Sequence, residues 1–343
     1  MLPARPLWPK QKPPLRLPKK MNKDLYIGID TSNYTTSLAL CDGEGTVLAN
    51  LKAPLPVKEG ERGLRQSDAV FAHVKNLPPL MAELKLVLRE PEIGEESIRG
   101  IGFSATPRRS ADSYMPCFLA GKVAAASIEA VRDVPVCEFS HQEGHVMAAL
   151  YSAGVADELT RCEFVAFHVS GGTTDVLYVR PDGGRFDIEM IGTSLDLHAG
   201  QAVDRVGVAL GLQFPCGREL EALAASNTQK IPKPRTCVKG LDCHLSGLEN
   251  LALSLYEKTG DRALVAAYTL DFIGQTLCEI STEVRRRYPD IPMVYAGGVM
   301  SNRRIQSMLG ARFSGTHFSE PAFSADNAAG IALLCRRALQ HDK

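Results

Sequence analysis

Apolar residues fall in short runs along this chain, and small or polar residues punctuate the runs at turn-forming sites. Leu25-Tyr26-Ile27-Gly28-Ile29-Asp30 is the kind of apolar run that a buried strand uses, and a Thr-Ser-Asn turn follows it. Thr35 to Cys41 alternates as a second strand, Asp42-Gly43-Glu44-Gly45 turns, and Thr46 to Leu51 returns as a third. The same order recurs about 140 residues later. Phe164 to Ser170 predicts a strand, Gly171-Gly172-Thr173 a turn and Thr174 to Val179 the next strand. Pro181-Asp182-Gly183-Gly184 turns again, and Phe186 to Ile191 completes the set. Two copies of this pattern imply an internal duplication, and hence two similar lobes.

Apolar spacing near 3.6 residues predicts helices over Ala69 to Leu88 and Ala120 to Arg132 in the first half. In the second half it predicts them over Ala199 to Leu210, Ala263 to Arg287 and Ala328 to Leu339. Pro78-Pro79 is expected to break or kink the first of these. Ile98 to Ser104, Val134 to Phe139 and Met293 to Ala296 read as further strands, the last ending in Gly297-Gly298. Asn227 to Gly240, with four basic residues and two prolines, reads as an exposed loop. Strands alternating with helices give an α/β protein.

Composition adds bounds. A chain of 343 residues with 45% hydrophobic and 23% charged residues builds a core and has room for about two domains. No apolar run comes near the roughly 20 residues of a membrane helix, so no membrane association is expected. Basic and acidic residues number 39 each, which excludes a protein that grips nucleic acid by net charge alone. Residues 1–20 hold six prolines, six basic residues and no acid, and are expected to be a disordered tail. That tail either binds RNA or lies upstream of a start at Met21. From Met21 onward 33 basic residues face 39 acidic ones, a mildly acidic body. Nine cysteines with no C-x-x-C pair suit a reducing, cytoplasmic setting.

Three segments could carry chemistry. His141-Gln142-Glu143-Gly144-His145 puts two histidines at i and i+4, which on a helix share one face and could bind a metal or form an exposed pair with no role. Glu143 is two positions beyond the first histidine rather than one. That turns it about 100° from where a zinc-protease base must stand, so a metallopeptidase is the weakest reading. Val169-Ser170-Gly171-Gly172-Thr173-Thr174 runs a strand into a turn whose backbone N–H groups could meet a phosphate, and Asp30-Thr31-Ser32 holds the matching place in the first copy. Either alone could be an ordinary hairpin turn. At equivalent places in two lobes they suggest a nucleotide in the cleft between them. Ala296-Gly297-Gly298-Val299 before Asn302 offers either another backbone contact for a flat base or a tight strand-to-helix turn.

These pieces in this order resemble the TsaD family of bacterial tRNA threonylcarbamoyladenosine transferases, once described as sialoglycoprotein endopeptidases. The resemblance covers about Leu25 to Ala338. It rests on His141-x-Glu143-Gly144-His145, Val169 to Gly172, Gly192-Thr193-Ser194-x-Asp196, Ala296 to Val299 with Asn302, and Asp326-Asn327-Ala328-Ala329. It implies the duplicated, ribonuclease H-like fold of actin and hexokinase, two lobes around a central cleft. The expected divisions are the tail 1–20, lobe I 21–133, lobe II 134–319, and a C-terminal helix 320–343 returning to lobe I. It also implies transfer of a threonylcarbamoyl group from its adenylate to the adenosine beside the anticodon of tRNA.

Carried over position by position, His141, His145 and Asp326 resemble the family's metal ligands. Two histidines and a carboxylate suit one divalent metal, Fe2+ ahead of Zn2+. His168, Val169, Ser170, Gly171, Gly172, Asp204, Gly217 and Asn302 resemble the family's binding set for threonylcarbamoyl-adenylate or ATP, with Asp204 accepting from the ribose. No catalytic group beyond the metal centre is singled out. The resemblance implies tRNA, a TsaB-like paralogue on the first lobe and a TsaE-like ATPase as partners.

Several positions depart from the family pattern. Asp30 to Thr36 lacks its two downstream acids, and Thr106-Pro107-Arg108-Arg109 replaces a Gly-Pro-Gly-Leu loop. Thr173 stands for a histidine. The segment Asp196 to Arg205 is altered, and Glu249 replaces a lysine. That is the pattern of a divergent paralogue. The rival readings are therefore a metal- and nucleotide-binding relative with another acceptor, a scaffold or weak ATPase, and a noncatalytic partner of the TsaB kind, against which the two-histidine motif counts. The basic clusters Arg108-Arg109, Arg285-Arg286-Arg287, Arg303-Arg304 and Arg336-Arg337 are either solvated faces or contacts for tRNA phosphates.

Overall fold

The structure is a computed structural model that describes residues 24–32, 34–56, 64–90, 93, 98–110, 112–324 and 328–341. The expected tail 1–20, Asp326 and Asn327 lie outside the described residues.

In the first half, β1 (Leu25–Ser32), β2 (Thr35–Asp42) and β3 (Val47–Pro54) form an antiparallel meander, followed by α1 (Gln66–Leu88), β4 (Ile98–Thr106), α2 (Phe118–Arg132) and β5 (Val136–Ser140). The sheet order is β3-β2-β1-β4-β5, with β4 parallel to β1 and to β5. After α3 (His141–Ser152) and α4 (Ala156–Leu159) the pattern repeats. The meander β6 (Phe164–Val169), β7 (Thr174–Asp182) and β8 (Arg185–Thr193) is followed by α5 (Ala199–Ala209), α6 (Gly217–Ala225), a small β9 (Cys237–Lys239) and β10 (Asp242–His244) hairpin, α7 (Gly247–Thr259) and α8 (Arg262–Arg287). Then come β11 (Met293–Ala296), α9 (Arg303–Arg312), β12 (Thr316–Phe318), α10 (Pro321–Ser324) and α11 (Ala329–His341). The second sheet, β12-β11-β6-β7-β8, copies the first strand for strand. This is the duplicated actin/hexokinase-like α/β fold. The first sheet runs through β5 to Ser140, past residue 133, where lobe I was expected to end.

Both sheets are covered on both faces, which is why their strands read as apolar runs. Leu25, Ile27, Ile29, Leu38 and Leu40 pack under α1 and α2, whereas Tyr26, Ala39 and Cys41 point to a second layer with α3 and α11. In the second sheet Val165, Phe167 and Val176 face the helices of lobe II, and Phe164, Ala166, Leu177 and Val179 join that same α3–α11 layer. The two helices therefore lie between the sheets. They cross at glycines: a Cβ on Gly330 would sit 1.9 Å from the Gly144 carbonyl oxygen, and one on Gly28 would sit 2.3 Å from the Ala328 carbonyl oxygen.

Two expectations need correction. Pro78 and Pro79 do not break α1, which is continuous from Gln66 to Leu88. Both prolines are exposed, as are Val74 and Lys75, whose carbonyls lose their partners, so the loss falls on the outer side of the helix. Meanwhile Leu77, Leu80, Leu84 and Leu88 hold the inner face on the sheet. Second, α8 is long and apolar enough by composition to cross a membrane, yet its most apolar stretch is 78% buried, in the lobe II core.

Candidate active site

β5 ends at Ser140, and α3 starts at once on His141. The start is fixed by a reciprocal cap. Glu143 N–H donates to Ser140 Oγ at 3.2 Å, while Ser140 N–H donates to Glu143 Oε2 at 2.7 Å. Glu143 is fully buried and also accepts from Arg185 at 3.4 Å. Its carboxylate is committed to the cap and that ion pair, so it is not placed as a protease base.

The cap sets the direction of the two histidines. His141 Nε2 and His145 Nε2 face each other at 2.8 Å. Two cis ligands at about 2.1 Å from one metal would stand about 3.0 Å apart, so the pair fits two positions of a coordination shell. Behind it, His141 Nδ1 lies 3.1 Å from Asp30 Oδ2. Asp30 is fully buried at the end of β1, and it also accepts from Ser32 Oγ at 3.0 Å and from Ser104 Oγ. A carboxylate on Nδ1 turns the Nε2 lone pair outward, as the outer shell of a histidine–metal site does. Among the described residues no set of three such side chains converges to hold a metal. The third expected ligand, Asp326, is outside them, on the segment just before α11.

The remainder of the lobe I turn is closed. Thr31 and Ser32 are buried, Thr31 Oγ1 donates to the Cys117 carbonyl at 3.1 Å, and Thr36 Oγ1 is 2.8 Å from His73 Nδ1. Burial pushes the His73 imidazole down, against the pull of Asp30, and so favours its neutral form. Among the described residues of this turn, side chains fill the space and leave no phosphate cradle.

Its counterpart in lobe II is open. Gly171 and Gly172 are exposed, and a Cβ on either would meet nothing within 4 Å. The turn is held from beneath: Gly200 N–H donates to the Ser170 carbonyl at 3.0 Å, Ala199 N–H to Thr174 Oγ1 at 2.9 Å, and a Cβ on Gly200 would come within 2.6 Å of Gly171 Cα. Asp204 lies one turn along α5 from Gly200, and its Oδ1 accepts from Cys216 N–H at 2.8 Å, immediately before Gly217. Burial raises the Asp204 carboxyl above the ordinary range, with that amide opposing. Gly217 opens α6 onto clear space. Gly297 (φ 103°) packs its Cα against the backbone of Val169, and the Oδ1 of Asn302 caps α9 by accepting from Ile305 N–H at 3.1 Å. His168 links the two halves, its ring centroid 4.9 Å from that of His145. A cavity of about 20 Å3 lies among His145, His168, Ala296 and Gly297.

The departures from the family pattern are joined to one another. Glu249 pairs with Arg205 at 3.4 Å, two altered positions meeting. In the β4–α2 loop the Pro107 carbonyl accepts from Gln142 N–H at 3.1 Å, and the next two side chains cross to lobe II: Arg108 to Asp175 at 3.4 Å and Arg109 to Asp182 at 2.8 Å. Other basic clusters are also engaged within the chain, Arg286 and Arg287 with Glu283 and Arg304 with Asp271. Sequence reasoning missed Asp30 as the partner of His141. The available signal was a carboxylate closing an apolar strand, which cannot stay buried without donors. It also missed the Ser140-x-x-Glu143 cap, which is a readable pattern.

The fold is shared widely. T. kodakarensis HypF superposes with a TM-score of 0.57 at 13% identity, over 93% of this chain and 48% of that one. The chain thus spans about half the length of HypF. A ROK family glucokinase from Streptomyces griseus, in complex with glucose and AMPPNP, gives 0.51 at 12% identity over 92% and 99%. Component A of the Acidaminococcus fermentans (R)-2-hydroxyglutaryl-CoA dehydratase gives 0.50 at 15% over 93% and 100%. At these identities the likeness is one of fold. The TsaD family model, described as tRNA N6-adenosine threonylcarbamoyltransferase, matches residues 49–333.

Proposed function

The chain belongs to the TsaD family, a family of tRNA-modifying transferases, and from that premise we propose that it moves a threonylcarbamoyl group from threonylcarbamoyl-adenylate to the adenosine beside the anticodon of tRNA. One observation carries the reading: a histidine pair braced by a buried carboxylate stands beside an exposed Gly-Gly turn, with His168 between them.

The open turn supplies backbone N–H groups to the adenylate phosphate, and no Cβ blocks its approach. Asp204 and the neighbouring Gly217 border the place for the ribose, and Gly297-Gly298 a flat surface for the base. His141 and His145, with Asp326 from the segment before α11, would hold one divalent metal, Fe2+ ahead of Zn2+. When bound it would withdraw electrons from the acyl donor as a Lewis acid. Asp30 fixes the tautomer and angle of His141 throughout. The surface arginines are largely occupied within the chain, which favours a tRNA held jointly with a TsaB-like paralogue on lobe I and a TsaE-like ATPase.

A second reading is favoured by the Arg108–Asp175 and Arg109–Asp182 pairs, which span the cleft where the family has a small loop. A paralogue with a different acceptor would keep the nucleotide and the metal and change that rim. Reconstitution with the partner proteins, followed by nucleoside analysis of the tRNA, separates the two. Threonylcarbamoyladenosine formed by wild type and lost in His145→Ala supports the first. Adenylate binding with no tRNA modification overturns it in favour of the second.

A further inference from the structure

The C-terminal end of α11 carries a cavity that the active site does not use. It has a volume of about 250 Å3 and is lined by Arg161, Arg336, Arg337, Asp157, Thr160 and Gln340, with His341 at its edge. Three guanidinium groups and one carboxylate make its wall cationic. Among the described residues none of the three arginines forms an ion pair with a carboxylate. Instead neutral carbonyls aim them: Arg336 Nε donates to the Gly43 carbonyl at 2.7 Å, and Arg337 Nη2 donates to the Thr160 carbonyl at 2.7 Å. Arg337 Nε is buried and has no hydrogen-bond partner. Burial, together with Arg161 and Arg336, disfavours the charge on Arg337. Three like charges against a single carboxylate, around a donor with nothing to donate to, are what an anion would complete.

We propose that this cavity binds a compact phosphate-bearing anion, held in a fork between Arg161 on the lobe II side and Arg336 and Arg337 on α11. A water claims about 30 Å3, so the space fits a phosphate or pyrophosphate group with a few waters, and much less than a nucleoside besides. Gly43, in the β2–β3 turn, belongs to lobe I, and Thr160 precedes the second sheet, so the ligand would sit where both lobes meet α11. The site is separate from the histidine pair and stands or falls without the transferase reading.

Calorimetric titration of the full chain with inorganic phosphate and with pyrophosphate, at fixed ionic strength, tests it. Wild type should bind one equivalent. Exposed Arg161→Met, which the fold can bear, should weaken binding roughly tenfold, as loss of one charge-assisted contact does. Arg337→Met should weaken it at least as much, and Arg337→Lys should recover part. Arg286→Met, a surface arginine paired with Glu283 outside the cavity, should change nothing. No phosphate or pyrophosphate binding by wild type, or binding that is equal in the Arg161→Met variant, overturns the proposal. If wild type ignores both anions while Arg161→Met loses affinity for tRNA, the arginines serve an RNA backbone and the proposal is likewise overturned.

Discussion

The two copies of the strand–turn–strand unit have taken opposite roles. In lobe I the turn after β1 is packed shut, with Asp30 and Thr31 fully buried and His73, Cys117 and Ser104 filling its surroundings. In lobe II the turn after β6 is two exposed glycines over empty space. The first positions a neighbouring histidine, and the second leaves its backbone open to approach. A duplicated backbone supplies the same place twice, and the side chains packed around it, many of them distant in sequence, decide whether that place is closed or open.

The largest expected break in that contrast comes from Asp30→Ala. Losing the carboxylate frees His141 and orphans the Ser32 and Ser104 hydroxyls. Metal affinity should fall by about 10–100-fold and stability by about 1–3 kcal/mol, as read by metal titration and denaturant unfolding. Unchanged metal affinity would show that the closed turn does not serve the histidines.

Next come two glycines on either side of the open turn. Gly200→Ala forces a methyl against the Gly171 backbone and should cost about 1–3 kcal/mol of stability. Gly171→Ala meets nothing in the protein and should leave stability within about 0.5 kcal/mol. Yet it should weaken ATP or adenylate binding roughly tenfold by blocking the approach. Equal nucleotide binding in Gly171→Ala would remove the cradle.

Acid tests the loop that supports the open turn. Asp196 lies between β8 and α5. Partial burial opposes its ionisation, but Ser246 Oγ and the amides of Leu245, Leu197 and Ser246 outweigh that and hold its carboxyl down to about 2. Its folded value lies below the unfolded one, so its contribution, cut by solvent screening to no more than about 1 kcal/mol at this largely exposed group, is present above the unfolded value near pH 4 and is lost as pH falls towards 2. Asp196→Asn should flatten that part of the stability-against-pH curve. The smallest effect is expected at the rim. Arg109 and Asp182 are each about half exposed, so Arg109→Ala should change unfolding free energy by less than about 1 kcal/mol. A larger loss would make the arginine pair a structural clamp between the lobes.

Much of this was legible in the chain because both sheets are buried on two faces and announce themselves as apolar runs bounded by small-residue turns. The duplication, the histidine spacing and the Gly-Gly turn could all be read in that way. What could not be read depended on distant pairs. Asp30 reads as part of a phosphate turn because nothing local shows that Ser104 and His141 converge on it. The arginine doublets looked available because Asp175, Asp182 and Asp271 lie far away in sequence. Pro78 and Pro79 misled because a helix rule ignores which side of the helix faces water.

The glycine crossing of α11 also bears on the order in which the protein can fold. Tyr26, Ala39 and Cys41 belong to the first strands synthesised, yet the helix that covers them is encoded roughly 300 residues later, and loop closure over that span is slow. Gly28 and Gly330 allow backbone to meet backbone there, so no side chain can stand in for the missing helix. A nascent lobe I must wait with one face of its sheet bare, the condition in which chains stick to one another or call on chaperones. Release from that state comes when α11 is delivered, so the sheet of lobe I matures only as that helix seats on it.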